Sequence, residues 1–193
     1  MTTVIGIQYP DKCVLYADSV VIANATTPFK HKAMVKIAKR GQYLIAAAGD
    51  FRVLQFVHHI WEPPTPTQDD LKDTFHFMIS SVMPSLRDDF KEHGFDSSEK
   101  DDKGERSLSF SLLICLNGTI FDVDEDLTVT LSDTNFYGIG SGADYALGAL
   151  HAGANALKAM DIAVKLDINT QPPFIKRSQE RLLNGKPASK QQA

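Results

Sequence analysis

The chain is poor in the features that mark most specialised proteins. It carries 2 cysteines and 1 tryptophan in 193 residues. Cys13 and Cys115 both lie in apolar, strand-like stretches, so they read as buried thiols rather than as a disulfide framework or a metal site. That usage points to a reducing, cytoplasmic compartment. No apolar run reaches the roughly 18 residues needed to cross a membrane. A basic-then-apolar secretory leader is also missing, so the mature protein is expected to begin at Met1 or at Thr2. Positive charge is not in excess: the net charge is −4 and no basic cluster appears, which excludes electrostatic binding of nucleic acid. Internal repeats and low-complexity stretches are absent too. What remains, 43% hydrophobic and 23% charged residues over a length that suits one domain, is the composition of an ordinary globular protein.

The hydrophobic pattern divides the chain into four blocks. Val4, Ile5, Ile7 and Tyr9, a Pro10-Asp11-Lys12 turn, and "CVLYAD" over 13–18 predict a hairpin. After a polar loop, "AMVKIAK" and "QYLIAAAGD" predict a second apolar pair around Arg40-Gly41. Helical spacing of Val53, Leu54, Phe56, Val57 and Ile60 predicts a helix capped by Asp50, and "EPPTPTQ" ends it. A second helix is expected from about Asp69 to His93, bent at Pro84. The charged stretch 94–106 reads as an exposed, mobile loop. Strands follow on both sides of Asn117-Gly118 and in "LTVTLS" and "FYGIGSG", then two helices from Ala143 separated near Gly153. Strands, helices, strands, helices, joined by hairpins, predict an α+β fold. Two antiparallel sheets packed face to face and covered by helix pairs would bury these faces, a four-layer αββα sandwich. One domain is expected over 1–175, followed by a polar, flexible tail over 176–193.

The chemistry turns on the two threonines behind Met1. A hydroxyl is a weak nucleophile that needs a base in reach, and a threonine at a free N-terminus carries one in its own α-amine. That amine has an ordinary pKa near 7.7 to 8.0, and a nearby cation lowers it. The further requirements are a lysine, a carboxylate to hold it, and N–H donors for an oxyanion. Asp18 closes the second apolar stretch, Lys36 lies between Val35 and Ile37, Gly49 stands where strand gives way to helix, and Ser141 is flanked by glycines. Taken singly, these read as a turn residue, the solvent face of a strand, a turn glycine and a loop serine.

Taken in order, "TTVIGIQ", "VLYADS", "KAMVKIA", "YLIAAAGD", "YGIGSGADYALGAL" and "AMDIAVKLDINT" resemble the proteasome β-subunit family, especially its bacterial HslV-type peptidases, over roughly residues 2 to 174. The resemblance implies the αββα N-terminal-nucleophile (Ntn) hydrolase fold and a threonine-type peptidase acting on peptides or unfolded proteins. In that family the nucleophile falls on Thr2, the residues that organise its amine on Asp18 and Lys36, the oxyanion glycine on Gly49 and the helper serine on Ser141. The family's Asp-x-x-Ser/Thr element falls on Asp167 and Thr170, and by analogy Ala47 and Phe51 line a roomy apolar substrate pocket. The resemblance also implies a homo-oligomeric ring, an AAA+ unfoldase as partner, and no cofactor. Removal of Met1 by methionine aminopeptidase would free the Thr2 amine without autolysis. "QPPF" at 171–174 departs from the small residues common there, which leaves the path after Thr170 open.

Three other signals are set aside. His58-His59 occupy neighbouring helix positions about 100° apart, with no converging third ligand, and read as a polar helix face. "GIGSG" lacks the G-x-G-x-x-G spacing and the βαβ setting of a nucleotide loop. "DVDED" over 122–126 lacks the ligand spacing of a calcium loop and reads as a solvated turn. Two alternatives stay open: a catalytically inactive, proteasome-like structural subunit, and an Ntn amidase acting on a small amide.

Overall fold

The computed structural model describes residues 2–23, 27–29, 35–95, 108–183 and 186–187. Met1 and most of the charged loop, residues 96–107, therefore lie outside the described residues. Strands β1 (Thr3–Gln8) and β2 (Lys12–Ala17) form the expected first hairpin. A short hairpin of β3 (Val21–Ala23) and β4 (Thr27–Phe29) follows where composition indicates only a polar loop. Strands β5 (Ile37–Arg40) and β6 (Tyr43–Gly49) lead into helix α1 (Phe51–His59), whose N-cap Asp50 accepts a 2.8 Å hydrogen bond from the Arg52 amide.

The segment expected as one bent helix is a 3₁₀ turn followed by one continuous helical run of changing geometry. A 3₁₀ turn (Asp70–Lys72) precedes α2 (Thr74–Phe77), a π-helical turn (Met78–Val82) and α3 (Met83–Glu92). The last three run on without a break, so Pro84 lies inside a continuous helical stretch, and the π-helical turn falls just ahead of it. A proline there donates no N–H and crowds the carbonyl four residues earlier, at Ser80, so the irregularity expected at Pro84 is taken up in the turn before it.

Strands β7 (Phe110–Leu116) and β8 (Thr119–Val123) flank Asn117-Gly118, and β9 (Val129–Thr130) and β10 (Phe136–Gly140) complete the second series. Helices α4 (Ala143–His151) and α5 (Ala156–Leu166) follow, then β11 (Ile175–Glu180) and a small hairpin of β12 (Leu182–Leu183) and β13 (Lys186–Pro187).

Two antiparallel sheets result, in the orders β10-β1-β2-β11 and β5-β6-β7-β8-β9. The period of two along each strand sorts its side chains between faces. Tyr43, Ile45 and Ala47 of β6 face a core shared with α1 and α3, while Leu44, Ala46 and Ala48 face a core between the sheets. Ile5 and Ile7 of β1 turn the other way, onto α4 and α5. Three apolar cores separate four layers, which is the αββα sandwich expected from the element order.

Two readings are corrected. Residues 176–180, expected to open the polar tail, belong to an edge strand paired with β2 from Ile175↔Ala17 to Glu180↔Lys12. An edge strand with its outer face in water needs few apolar residues, so its sequence looks like a tail. Gln179 also ties the sheets together: its amide donates to the Gln42 carbonyl at 2.7 Å and accepts from the Gly118 amide at 2.9 Å. His58, expected on a polar helix face, is buried beneath α1, while His59 is exposed. Burial, with His59 and Arg40 nearby, pushes the His58 pKa down to about 4, so its imidazole is neutral at physiological pH.

Leu86 on α3 is fully buried in the helix-side core. Leu86→Ala is expected to lower unfolding free energy by about 2 to 5 kcal/mol, read as a lower urea midpoint at unchanged slope.

Candidate active site

One edge of the sandwich collects the ends of several elements: the start of β1, the ends of β2, β6 and β10, the start of α4 and the end of α5. Each brings a polar group to an otherwise apolar frame. Asp18 directly follows β2 and is fully buried. Its Oδ1 accepts from the Thr3 amide at 2.8 Å and from Lys36 Nζ at 2.6 Å, and its Oδ2 accepts from the Val20 amide at 3.1 Å. Its own amide donates to the Thr3 carbonyl at 3.1 Å, so Asp18 extends the β1–β2 ladder by one residue.

Lys36, just before β5, is also fully buried. Burial pulls its pKa below the usual lysine range, and the charges of Asp18 and, more weakly, Asp167 oppose that pull. The solvent-face reading of Lys36 is thus replaced by a buried ion pair with Asp18.

A second carboxylate lies on the other side of Thr3. Asp167 ends α5, its amide bonded to the Ala163 carbonyl at 2.7 Å. Its Oδ1 accepts from the Asn169 amide at 3.0 Å and from Asn169 Nδ2 at 2.9 Å. Its Oδ2 accepts from Thr170 Oγ at 2.7 Å and from Ser141 Oγ at 2.8 Å. Burial raises the Asp167 pKa, but these donors outweigh it and hold the carboxyl below its ordinary value.

Thr2 is buried and directly precedes β1. Its carbonyl lies against Gly140, so closely that a Cβ there would strike it, and the same Cβ position falls 3.4 Å from Ala48 Cβ. Thr2 and the end of β6 therefore meet across β10. Gly49 closes β6 at φ +99°, a conformation that L side chains rarely adopt, and a Cβ on it would collide with the Ser109 carbonyl. This bend turns the chain out of the sheet toward α1.

Of the nine residues singled out in the sequence, Asp18, Lys36, Ser141, Asp167 and Thr170 enter the two hydrogen-bonded centres; Thr2 adjoins Thr3 in the chain, and Gly49 follows Ala48, which lies close to Gly140. Ala47 and Phe51 lie apart from these centres. Ala47 points into the helix-side core, and Phe51, half-buried at the start of α1, packs on that core. Sequence reasoning missed Thr3, Gly142 and Asn169. The doubled threonine, the second glycine of "GSG" and the middle of "DINT" were the available signals. Cavities of about 550 and 340 Å³ open at the far end of the sheets, around Asn117 and Leu182, away from this cluster. Among the described residues no group of three or more His, Cys, Asp or Glu side chains is placed to hold a metal ion, and no helix is long and apolar enough to cross a membrane.

The buried ion pair sets a pH dependence. Because the folded-state pKa of Lys36 is lowered, the unfolded chain binds that proton more tightly. Stability therefore rises with pH from the folded value up to the ordinary lysine pKa of about 10.4. Asp18→Asn is expected to cost about 3 to 5 kcal/mol at neutral pH by leaving the ammonium without its carboxylate. Part of the loss should be regained at alkaline pH, as compared by urea midpoints. An equal loss at every pH would contradict this origin.

No family model matches the sequence, and no curated protein matches it. Solved structures do. HslV from Trypanosoma brucei is 21% identical, covering 93% of this chain and 100% of its own, with a TM-score of 0.63. BPH from Thiobacillus denitrificans is 23% identical, covering 94% of this chain and 99% of its own, with a TM-score of 0.68, and has also been solved in complex with epoxomicin. An Anbu (Gly-1) mutant from Hyphomicrobium sp. strain MC1 is 15% identical, covering 93% and 87%, with a TM-score of 0.62. Identities of this size speak for the fold alone, and that fold is the HslV-type, proteasome-like Ntn-hydrolase sandwich.

Proposed function

We propose that this chain is an N-terminal-threonine peptidase whose nucleophile is Thr2 once Met1 has been removed. The observation that carries the reading is the fully buried Lys36–Asp18 pair, bonded to the residue next to Thr2. A buried ion pair adds little to stability, because desolvation offsets its attraction. Its position beside a threonine with a freed amine gives it a use: the ammonium disfavours protonation of that amine and so readies it as a base.

In the proposed reaction Thr2 Oγ attacks a peptide carbonyl while the α-amine takes the hydroxyl proton. The Gly49 amide stabilises the oxyanion where strand gives way to helix. The amine returns its proton to the leaving amino group, and water then hydrolyses the acyl-enzyme by the same path in reverse. Asp18 holds Lys36. Ser141, fixed by Asp167, supports proton transfer at the amine.

The wider reading is a cytoplasmic, self-assembled ring, fed unfolded protein by an AAA+ unfoldase, that encloses its sites. Exposed apolar side chains on the α4–α5 side, Leu157, Leu166 and Ile168, the last 83% exposed, fit burial against further copies.

Epoxomicin, the ligand of one structural relative, is the probe of choice. Intact-mass measurement of the purified protein should show loss of Met1 and gain of one epoxomicin, with Thr2→Ala taking none. A free Thr2 that gains no adduct would favour an inactive structural subunit, and an adduct without peptide cleavage would favour an amidase.

The pH dependence is also fixed in sign. The rate of adduct formation should rise with pH along a limb centred below about 7.7, the ordinary α-amine value. Lys36→Met should slow the reaction at neutral pH by roughly 10² or more in protein that circular dichroism shows to be folded.

A further inference from the structure

Thr3 is fully buried, the first residue of a strand whose next two side chains, Val4 and Ile5, are fully buried and apolar. A hydroxyl in such a place is unfavourable unless both its proton and its lone pairs are engaged. Here they are, and the direction of each bond can be worked out. Thr170 Oγ has one proton, which goes to Asp167 Oδ2 at 2.7 Å. Between Thr3 Oγ and Thr170 Oγ, 2.5 Å apart, Thr3 must therefore be the donor. Thr3 Oγ in turn accepts from the Gly142 amide at 3.1 Å. The result is one ordered run: Gly142 N–H to Thr3 O–H to Thr170 O–H to the Asp167 carboxylate.

The backbone of Thr3 is held as firmly on the opposite side, its amide on Asp18 Oδ1, the oxygen that also takes the Lys36 ammonium. Thr3 is thus where the two carboxylate networks meet, and it is covalently next to the proposed nucleophile. Gly142 matches this role by close approach: a Cβ there would run into Thr3 Oγ and Thr170 Oγ. Gly142 also follows Ser141 directly, so the hydroxyl that anchors its amide anchors the turn that presents Ser141.

We infer that Thr3 is a positioning residue for catalysis, its hydroxyl locking the Ser141-Gly142 turn to the start of β1 so that Thr2 and Ser141 keep a fixed relation. The inference rests on the proposed threonine-peptidase reading. It assigns Thr3 no contact with substrate. Thr3 acts through Gly142 and Thr170, and a misplacement of its neighbours by about 1 Å can cost on the order of 10² in rate.

The test is the kinetics of epoxomicin inactivation, separated into the limiting rate and the half-saturating concentration, followed by intact mass. Thr3→Val keeps the shape but strands the Gly142 amide and removes the donor to Thr170. It should lower the limiting rate on the order of 10² and leave half-saturation close to wild type. Thr3→Ser, which restores the hydroxyl, should recover most of the rate. Leu86→Ala serves as the control for lost stability and should react at the wild-type rate while folded. A Thr3→Val protein that reacts as fast as wild type overturns the inference and leaves the peptidase reading standing. So does a rate loss that Thr3→Ser fails to repair or that Leu86→Ala shares. A wild-type protein that takes no adduct overturns the peptidase reading, and this inference with it.

Discussion

The structure is organised around the burial of one ammonium group. Lys36 and Asp18 are both fully shielded from water, and in that setting neither charge is tolerable without the other. Asp18 therefore needs several donors and takes them from three places: Lys36, the Thr3 amide and the Val20 amide. Two of these are main-chain groups, so satisfying the charge also fixes how β1 starts and where the chain goes after β2. A one-residue slip of the β1–β2 register would move Val4 and Ile5 to the wrong cores and take the Thr3 amide from the carboxylate. Packing and electrostatics thus select the same register.

The three cores explain why the polar cluster lies at an edge rather than inside the sandwich. Away from the edge strands each sheet is covered on both faces, and its alternating side chains are committed to apolar contacts. Polar groups can enter only where strands end and the ladder no longer consumes the main-chain donors. At this edge β10 gives way to α4 and α5 to the Asp167–Thr170 turn, so amides freed from sheet and helix point inward. Asn169 and Gly142 use theirs on Asp167 and Thr3. Side chains carried on such rigid ends are placed more closely than any flexible loop would allow.

Much of this was legible in the sequence because the period of two and the helical spacing survive in the buried segments. β1, β2, β6, β7, α1, α4 and α5 fall where periodicity places them, and the turn at Asn117-Gly118 is written in its residues. What was not legible depends on pairing partners distant in the chain. β11 reads as polar because its outer face meets water and its hold on β2 is through the backbone. Lys36 reads as a surface residue because its burial follows only once Asp18 is folded against it. The π-helical turn over Met78–Val82 is made of residues that suit an ordinary amphipathic helix, and its one sequence signal is Pro84, which crowds the carbonyl of Ser80 within it. Thr3 and Asn169 were missed because a threonine in a strand and an asparagine in a turn are ordinary until their partners are known.

The two carboxylates that flank Thr3 are stabilised by different means, and the difference matters to Lys36. Asp18 faces a cation, whereas Asp167 is held by neutral donors: two hydroxyls, an amide N–H and a side-chain amide. Those donors keep Asp167 ionised without neutralising it, so its negative charge still reaches Lys36 and supports protonation there. The ammonium is thereby held by two anions against the desolvation that works to discharge it. One anion binds it directly and the other acts across Thr3. In the proposed chemistry the identity of the base depends on this balance. A protonated Lys36 acts as a fixed charge beside the N-terminus and leaves the α-amine as the group that moves the proton. A neutral Lys36 would itself compete for that proton. In that proposed chemistry the Asp167 turn, besides orienting Ser141, adds a lesser charge that opposes the burial lowering the Lys36 pKa.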